Sequence, residues 1–118
     1  MKTISLIENL KIINKIAEFE NGWDGYNAHA FSDKEIKYFT YIIENLKVQP
    51  YITPTAANSI ILEYIGQNGN TQFYNLGLDK TESVFLLNGD IREAETYTYS
   101  KDEDIITIIN NDMKRLNI

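Results

Sequence analysis

The chain has 118 residues, the size of one domain, and a chain this long buries enough of its unfolded surface to fold without a disulfide or a metal. It contains no cysteine, which excludes a disulfide framework and a thiolate zinc site. Its net charge of −6, from 17 acidic and 11 basic residues, argues against nucleic-acid partners, which need Lys and Arg to displace counterions from phosphate.

The chain opens on an amphipathic helix. Glu8, Asn9, Lys11, Asn14 and Lys15 interrupt its apolar residues at helical spacing, which is unlike the unbroken apolar run of a leader. No stretch approaches the roughly 20 apolar residues of a membrane span, so a cytoplasmic protein with one domain over residues 1–118 is expected. The helix is expected over residues 6–20. Ser5 and Glu8 stand in capping-box spacing, Leu6, Leu10, Ile13 and Ala17 form its buried stripe with Ile16 beside them, and Asn21-Gly22 ends it.

Residues 23–31 form a loop rich in aromatic residues, with the only Trp of the chain. The second helix starts at a strong signal: Ser32 is the cap, Glu35 closes the box, and Phe31 and Ile36 occupy the staple positions. Ile36, Phe39, Ile43 and Leu46, with Ile42, make its apolar face. Pro50 and Pro54 predict an extended, irregular stretch.

Strands follow at 59–65, 72–78, 83–87 and 91–99, separated by turn clusters at 66–70 and 79–82 and by Asn88-Gly89, a two-residue hairpin signal. Gly77 is a candidate bulge. A last helix is expected over 101–117, with Ser100 and Glu103 in capping-box spacing and Ile105, Ile106, Ile109, Met113 and Leu116 inward. The expected fold is α+β: a four-stranded antiparallel meander with helices packed mainly on one face, in the order α-α-β-β-β-β-α.

No residue pattern points to catalysis. There is no phosphate-binding or dinucleotide-binding glycine motif, no metal-ligand spacing around His29, the only histidine, and no nucleophile elbow, so no catalytic residue, metal or cofactor is assigned. Asp24 and His29 share the aromatic loop. They are either an acid–base pair, served by a Glu from the sheet, or a turn-bracing carboxylate beside a surface histidine. The loop itself is either a plug, with Trp23 sealing the junction of the first two helices, or a binding surface formed by Trp23, Asp24, Tyr26 and His29. Asp90, Glu93, Glu95, Asp102, Glu103 and Asp104 crowd one stretch. This is either a solvated face or a docking surface for a basic partner. Tyrosine is abundant, with 8 residues, and suits both interfaces and half-buried strands.

Trp23-Asp24-Gly25-Tyr26-Asn27-Ala28, preceded by Glu20-Asn21, resembles the W-D-x-Y-G-A motif of a group of small bacterial proteins mostly described as hypothetical. Pro54-Thr55 matches the P-T dipeptide of that group, and Leu62-Glu63-Tyr64 its L-E-W-like strand. Asn27 stands where the group usually has Gly, and Tyr64 where it often has Trp. The resemblance spans residues 20–78. It implies a bacterial or phage source and carries no activity.

The expected function is therefore a non-enzymatic bacterial or mobile-element binding module acting through protein–protein contact, in the manner of an antitoxin or inhibitor. The alternative is a small-ligand protein that stacks a nucleotide or sugar on the aromatic loop. One feature bears on oligomeric state. Alternate positions of 60–65 and 84–87 are apolar on both sides, so the sheet has a surplus apolar face. A two-fold homodimer would cover it, and so would the loops at 23–31 and 48–58.

Overall fold

A computed structural model describes residues 4–118. Its first two helices are α1 (Leu6–Ala17) and α2 (Asp33–Glu44), and five strands follow: β1 (Tyr51–Pro54), β2 (Ile60–Ile65), β3 (Thr71–Leu76), β4 (Lys80–Leu86) and β5 (Glu95–Ser100). The last helix, α3 (Ile105–Asp112), tightens into a 3-10 turn over Met113–Leu116. The strands pair antiparallel in sequence order, β1-β2-β3-β4-β5. The α+β meander is as expected, but the sheet has five strands rather than four.

The additional strand is β1, in the stretch flanked by Pro50 and Pro54. Proline is compatible with an edge strand because an edge has ladder positions that need no N–H donor. Tyr51 pairs with Glu63 and Pro54 with Ile60, so the segment caps the edge of the sheet.

α1 begins as the sequence dictates, with Glu8 N donating to Ser5 Oγ at 3.1 Å. It stops at Ala17, three residues before the expected end, and Gly22 is not its cap. With φ at +82°, Gly22 instead lets its own N–H reach the Ala28 carbonyl at 2.7 Å inside the following loop. The buried stripe is also rotated. Asn9, Ile13 and Ile16 face inward, whereas Leu6 and Ala17 are exposed. Asn9 is fully buried because its amide bridges two elements, donating to Gln49 Oε1 at 3.0 Å and to the Pro50 carbonyl at 2.9 Å. Gln49 in turn donates to the Ile43 and Leu46 carbonyls at the end of α2, so one polar relay joins α1, α2 and the approach to β1.

α2 has the full capping box, with Ser32 N donating to Glu35 Oε1 at 2.7 Å and Glu35 N to Ser32 Oγ at 3.1 Å. The third helix starts later than expected. Ser100 and Glu103 brace a turn, and Asp104 is the cap, accepting from Thr107 N and Thr107 Oγ1.

Asn88 and Gly89 both take positive φ, as their hairpin signal requires. The hairpin is nevertheless not tight. A second turn, with Glu93 N on the Asp90 carbonyl, separates β4 from β5, and the strand starts at Glu95 instead of 91. Gly77 closes the β3–β4 turn, with its N–H on the Lys80 carbonyl at 3.1 Å, and is not a bulge. At Gly66 a Cβ would come within 2.6 Å of the Leu116 carbonyl oxygen, so only glycine lets the C-terminal turn dock there.

All three helices lie on one face of the sheet. Ile60, Leu62, Tyr64, Tyr74, Leu76 and Phe85 join the helix residues Ile13, Ile16, Phe39, Ile43, Ile109 and Leu116 in one core. Every one of those strand residues belongs to the same face by register. Tyr74 donates to Asp112 Oδ2 at 2.6 Å and Tyr64 to the Val48 carbonyl at 2.7 Å, so each buried hydroxyl has a partner. Burial pushes both phenols far above their ordinary range, and for Tyr74 the Asp112 carboxylate adds to the effect.

Candidate functional site

The aromatic loop divides into an inside and an outside. Trp23 is half-buried, with its ring 4.9 Å from Phe19 and 6.1 Å from Phe31, and its Nε1 donates to the His29 carbonyl at 3.2 Å. Ala28 and Phe31 are buried. The plug describes these three residues, although Trp23 is not sealed off from solvent. Tyr26 is at the opposite extreme, 84% exposed at the tip of the loop.

The backbone beneath Tyr26 is cross-braced. Asp24 Oδ1 accepts from Tyr26 N at 2.9 Å and Ala28 N at 3.2 Å, Asn21 Oδ1 accepts from Ala30 N, and Asn58 Nδ2 donates to the Ala30 carbonyl. Asp24 is thereby the brace of a turn. The His29 side chain is exposed, and among the described residues no hydrogen bond or ion pair joins it to Asp24. The structure therefore does not bring the acid–base pair together. Two of the surface clefts, of about 270 and 190 Å³, are lined by other parts of the chain and include no residue of 23–31.

Four of the six clustered carboxylates are engaged locally. Asp90 pairs with Arg92 at 2.8 Å, and that guanidinium holds its carboxyl below the usual range. Glu95 pairs with Arg115, which also lies over the Phe85 ring. Glu103 accepts from Ser100 N, and Asp104 caps α3, with the Thr107 hydrogen bonds holding its carboxyl low. Glu93 and Asp102 are exposed. The cluster is largely a set of turn and cap carboxylates distributed over three elements. Among the described residues no three His, Cys, Asp or Glu side chains converge as metal ligands.

The side of the sheet away from the helices is the larger feature. By register it carries the row Tyr51–Glu63–Phe73–Val84, with Ile61 and Asn75 to one side and Ile65, Thr71 and Leu86 to the other. None of these residues is buried. Phe73, Ile61, Val84 and Leu86 are half-exposed, and Ile65 is 39% exposed. Ala57 and Asn58 of the 48–58 loop share a surface cleft with Asn75 and Glu82 at one end of this face. Glu63 and Glu82 give this face two negative charges, and the exposed Lys80, on the same side of β4 as Glu82, gives it one positive charge. The two-sided apolar strands flagged this surface in the sequence. Phe73 was not singled out, because its importance comes from lying between β2 and β4, which is a matter of register.

No family model, curated protein or solved structure matches the chain. Among the described residues no helix is long and apolar enough to cross a membrane.

Proposed function

We propose that this protein is a non-enzymatic binding module that works by protein–protein contact, and that the open face of the sheet is its contact surface. The observation that carries the reading is the half-buried row of Ile61, Phe73, Val84 and Leu86 on a face that no helix among the described residues covers. Fixed strands hold those side chains rigid, so little conformational entropy is lost when a partner covers them. The excess of Glu63 and Glu82 over Lys80 on this face, and the net charge of −6, favour a partner that presents apolar and basic side chains together. An antitoxin or inhibitor masking a basic protein has that form. The W-D-x-Y-G-A-like residues and the absence of cysteine favour a bacterial or phage source and the cytoplasm as its place of action.

The test is affinity capture from a bacterial host with the wild-type chain and with Phe73→Glu. A stoichiometric partner held by the wild type and lost by a folded Phe73→Glu supports the reading. A partner held equally by both, or no partner under any growth condition, overturns it.

A further inference from the structure

The two edges of the sheet are finished differently. The β1 edge is short, lies between Pro50 and Pro54, and is tied to α1 through Asn9. Such an edge is a poor template for another strand. β5 has none of these protections. Its six residues, Glu95-Thr96-Tyr97-Thr98-Tyr99-Ser100, include no lysine, proline or glycine, and all but Tyr99 are exposed. Threonine and tyrosine are strong strand formers.

The ladder fixes which backbone groups face outward. Gly77 N bonds the Lys80 carbonyl at the turn, and bonded and non-bonded pairs alternate along an antiparallel ladder. Lys80, Glu82 and Val84 therefore direct their backbone groups to β3, while Thr81, Ser83 and Phe85 direct theirs to Tyr99, Tyr97 and Glu95. That leaves Thr96, Thr98 and Ser100 facing the open edge. Ser100 is already served by the turn after it, its N–H by Glu103 Oε2 at 2.8 Å and its carbonyl by Glu103 N at 3.2 Å. The N–H and C=O of Thr96 and Thr98 remain for an incoming strand.

We propose that a second copy of this chain pairs along β5, antiparallel about a two-fold axis through Tyr97 and normal to the sheet. Thr96 then lies opposite Thr98 of the second copy, and Thr98 opposite its Thr96. All four outward-facing groups of each strand are satisfied, and the Ser100 bonds stay intact. The register shifted by one step, with Thr98 on the axis, would set Thr96 against the engaged Ser100. Like charges are not opposed: Glu95 faces Tyr99 of the second copy and keeps Arg115 on its own chain. Tyr97, 64% exposed and stacked on Tyr99 with centroids 6.2 Å apart, meets its symmetry mate as a non-bonded pair, with Cα atoms about 4.5 Å apart. Threonine pairs and aromatic pairs are both favourable across strands. The axis is normal to the sheet, so the two open faces lie on the same side and double the surface proposed for a partner. The pairing itself does not depend on that function.

A contact of one strand pair is small, so the dimer forms at about 10 µM to 1 mM rather than at nanomolar concentration. Sedimentation over that range should show the mass rising from 13.6 kDa towards twice that value. Tyr97→Lys sets two ammonium groups against each other at the axis, and Thr98→Pro removes an outward N–H that the fold itself does not use. Each should weaken dimerisation at least about tenfold. Tyr26→Lys, which makes the same charge change elsewhere, should leave it intact, as should Phe73→Glu, which tests the open face. A species that stays at 13.6 kDa up to the highest concentration overturns the proposal. So does a dimer that survives Tyr97→Lys. If Thr98→Pro does not fold, Tyr97→Lys alone decides.

Discussion

Phe73 and Tyr74 are adjacent on β3 and point to opposite faces of the sheet. Tyr74 is fully buried, T-stacked on Tyr64 at 6.3 Å and bonded to Asp112 of α3. Phe73 is half-exposed between Glu63 and Val84. The strands spend similar hydrophobicity on both faces, but only one face receives the helices. Each helix has a single apolar stripe, and three helices on one face also bury their flanks against one another. Split between two faces they would cover neither. The difference teaches that apolar character on this sheet separates into cohesion on one side and availability on the other.

Truncation should expose that separation most strongly. Tyr74→Ala is expected to destabilise by about 3–5 kcal/mol, as for large aromatic groups lost from cores. Phe73→Ala should cost less, about 2 kcal/mol, because part of its ring meets water in the folded state. Urea unfolding of the two variants measures this, and equal losses would erase the distinction between the faces.

Alkali should attack the covered face alone. The Tyr64 and Tyr74 phenols are raised by burial, whereas in the unfolded chain they ionise near pH 10. A group with a raised folded pKa contributes fully below its unfolded value and loses that contribution as pH rises above it. Stability should therefore fall above about pH 10, by about 1.4 kcal/mol per pH unit for each tyrosine. Tyr64→Phe should lower the slope by less than half, because burial also raises the Tyr38 and Tyr99 phenols. A flat profile between pH 10 and 11 would mean that the covered face admits water.

Trp23 lies at the margin of the covered side. Trp23→Ala should cost about 2 kcal/mol, below the full core range because the ring is half-exposed. The smallest effect concerns the cap of α2, one of the covering helices. Ser32→Ala should cost about 1 kcal/mol and Ser32→Gly only a few tenths. Thermal melts that place Trp23→Ala at the level of Tyr74→Ala would show that the loop is as much core as the sheet is.

What was legible in the sequence was local. The Ser32–Glu35 box acts over four residues and forms whatever lies around it, and the left-handed turn at Asn88-Gly89 needs only its own two residues. The aromatic loop was visible by composition, but its division into Trp23 inside and Tyr26 outside was not, since that depends on Trp23 packing on Phe19 beyond the loop and on Asn58 reaching it from the approach to β2. One ion pair of the acidic stretch was hidden for the same reason. Arg115 is 20 residues from Glu95, and no spacing rule joins them.

The sequence by itself determined the class of fold, the number of helices, the antiparallel meander and the presence of more apolar strand surface than one layer of helices can cover. Periodicity, caps and turn residues are properties of short segments, and those segments keep them wherever they are placed. Only the tertiary structure decided that Asn9 rather than Leu6 faces inward, that 51–54 is a strand, that Phe73 heads the uncovered row, and that β5 ends the sheet with two threonines whose backbone groups face outward. Each of these depends on which partner lies across a gap of many residues, and register and packing set that partner through the summed burial of the whole chain.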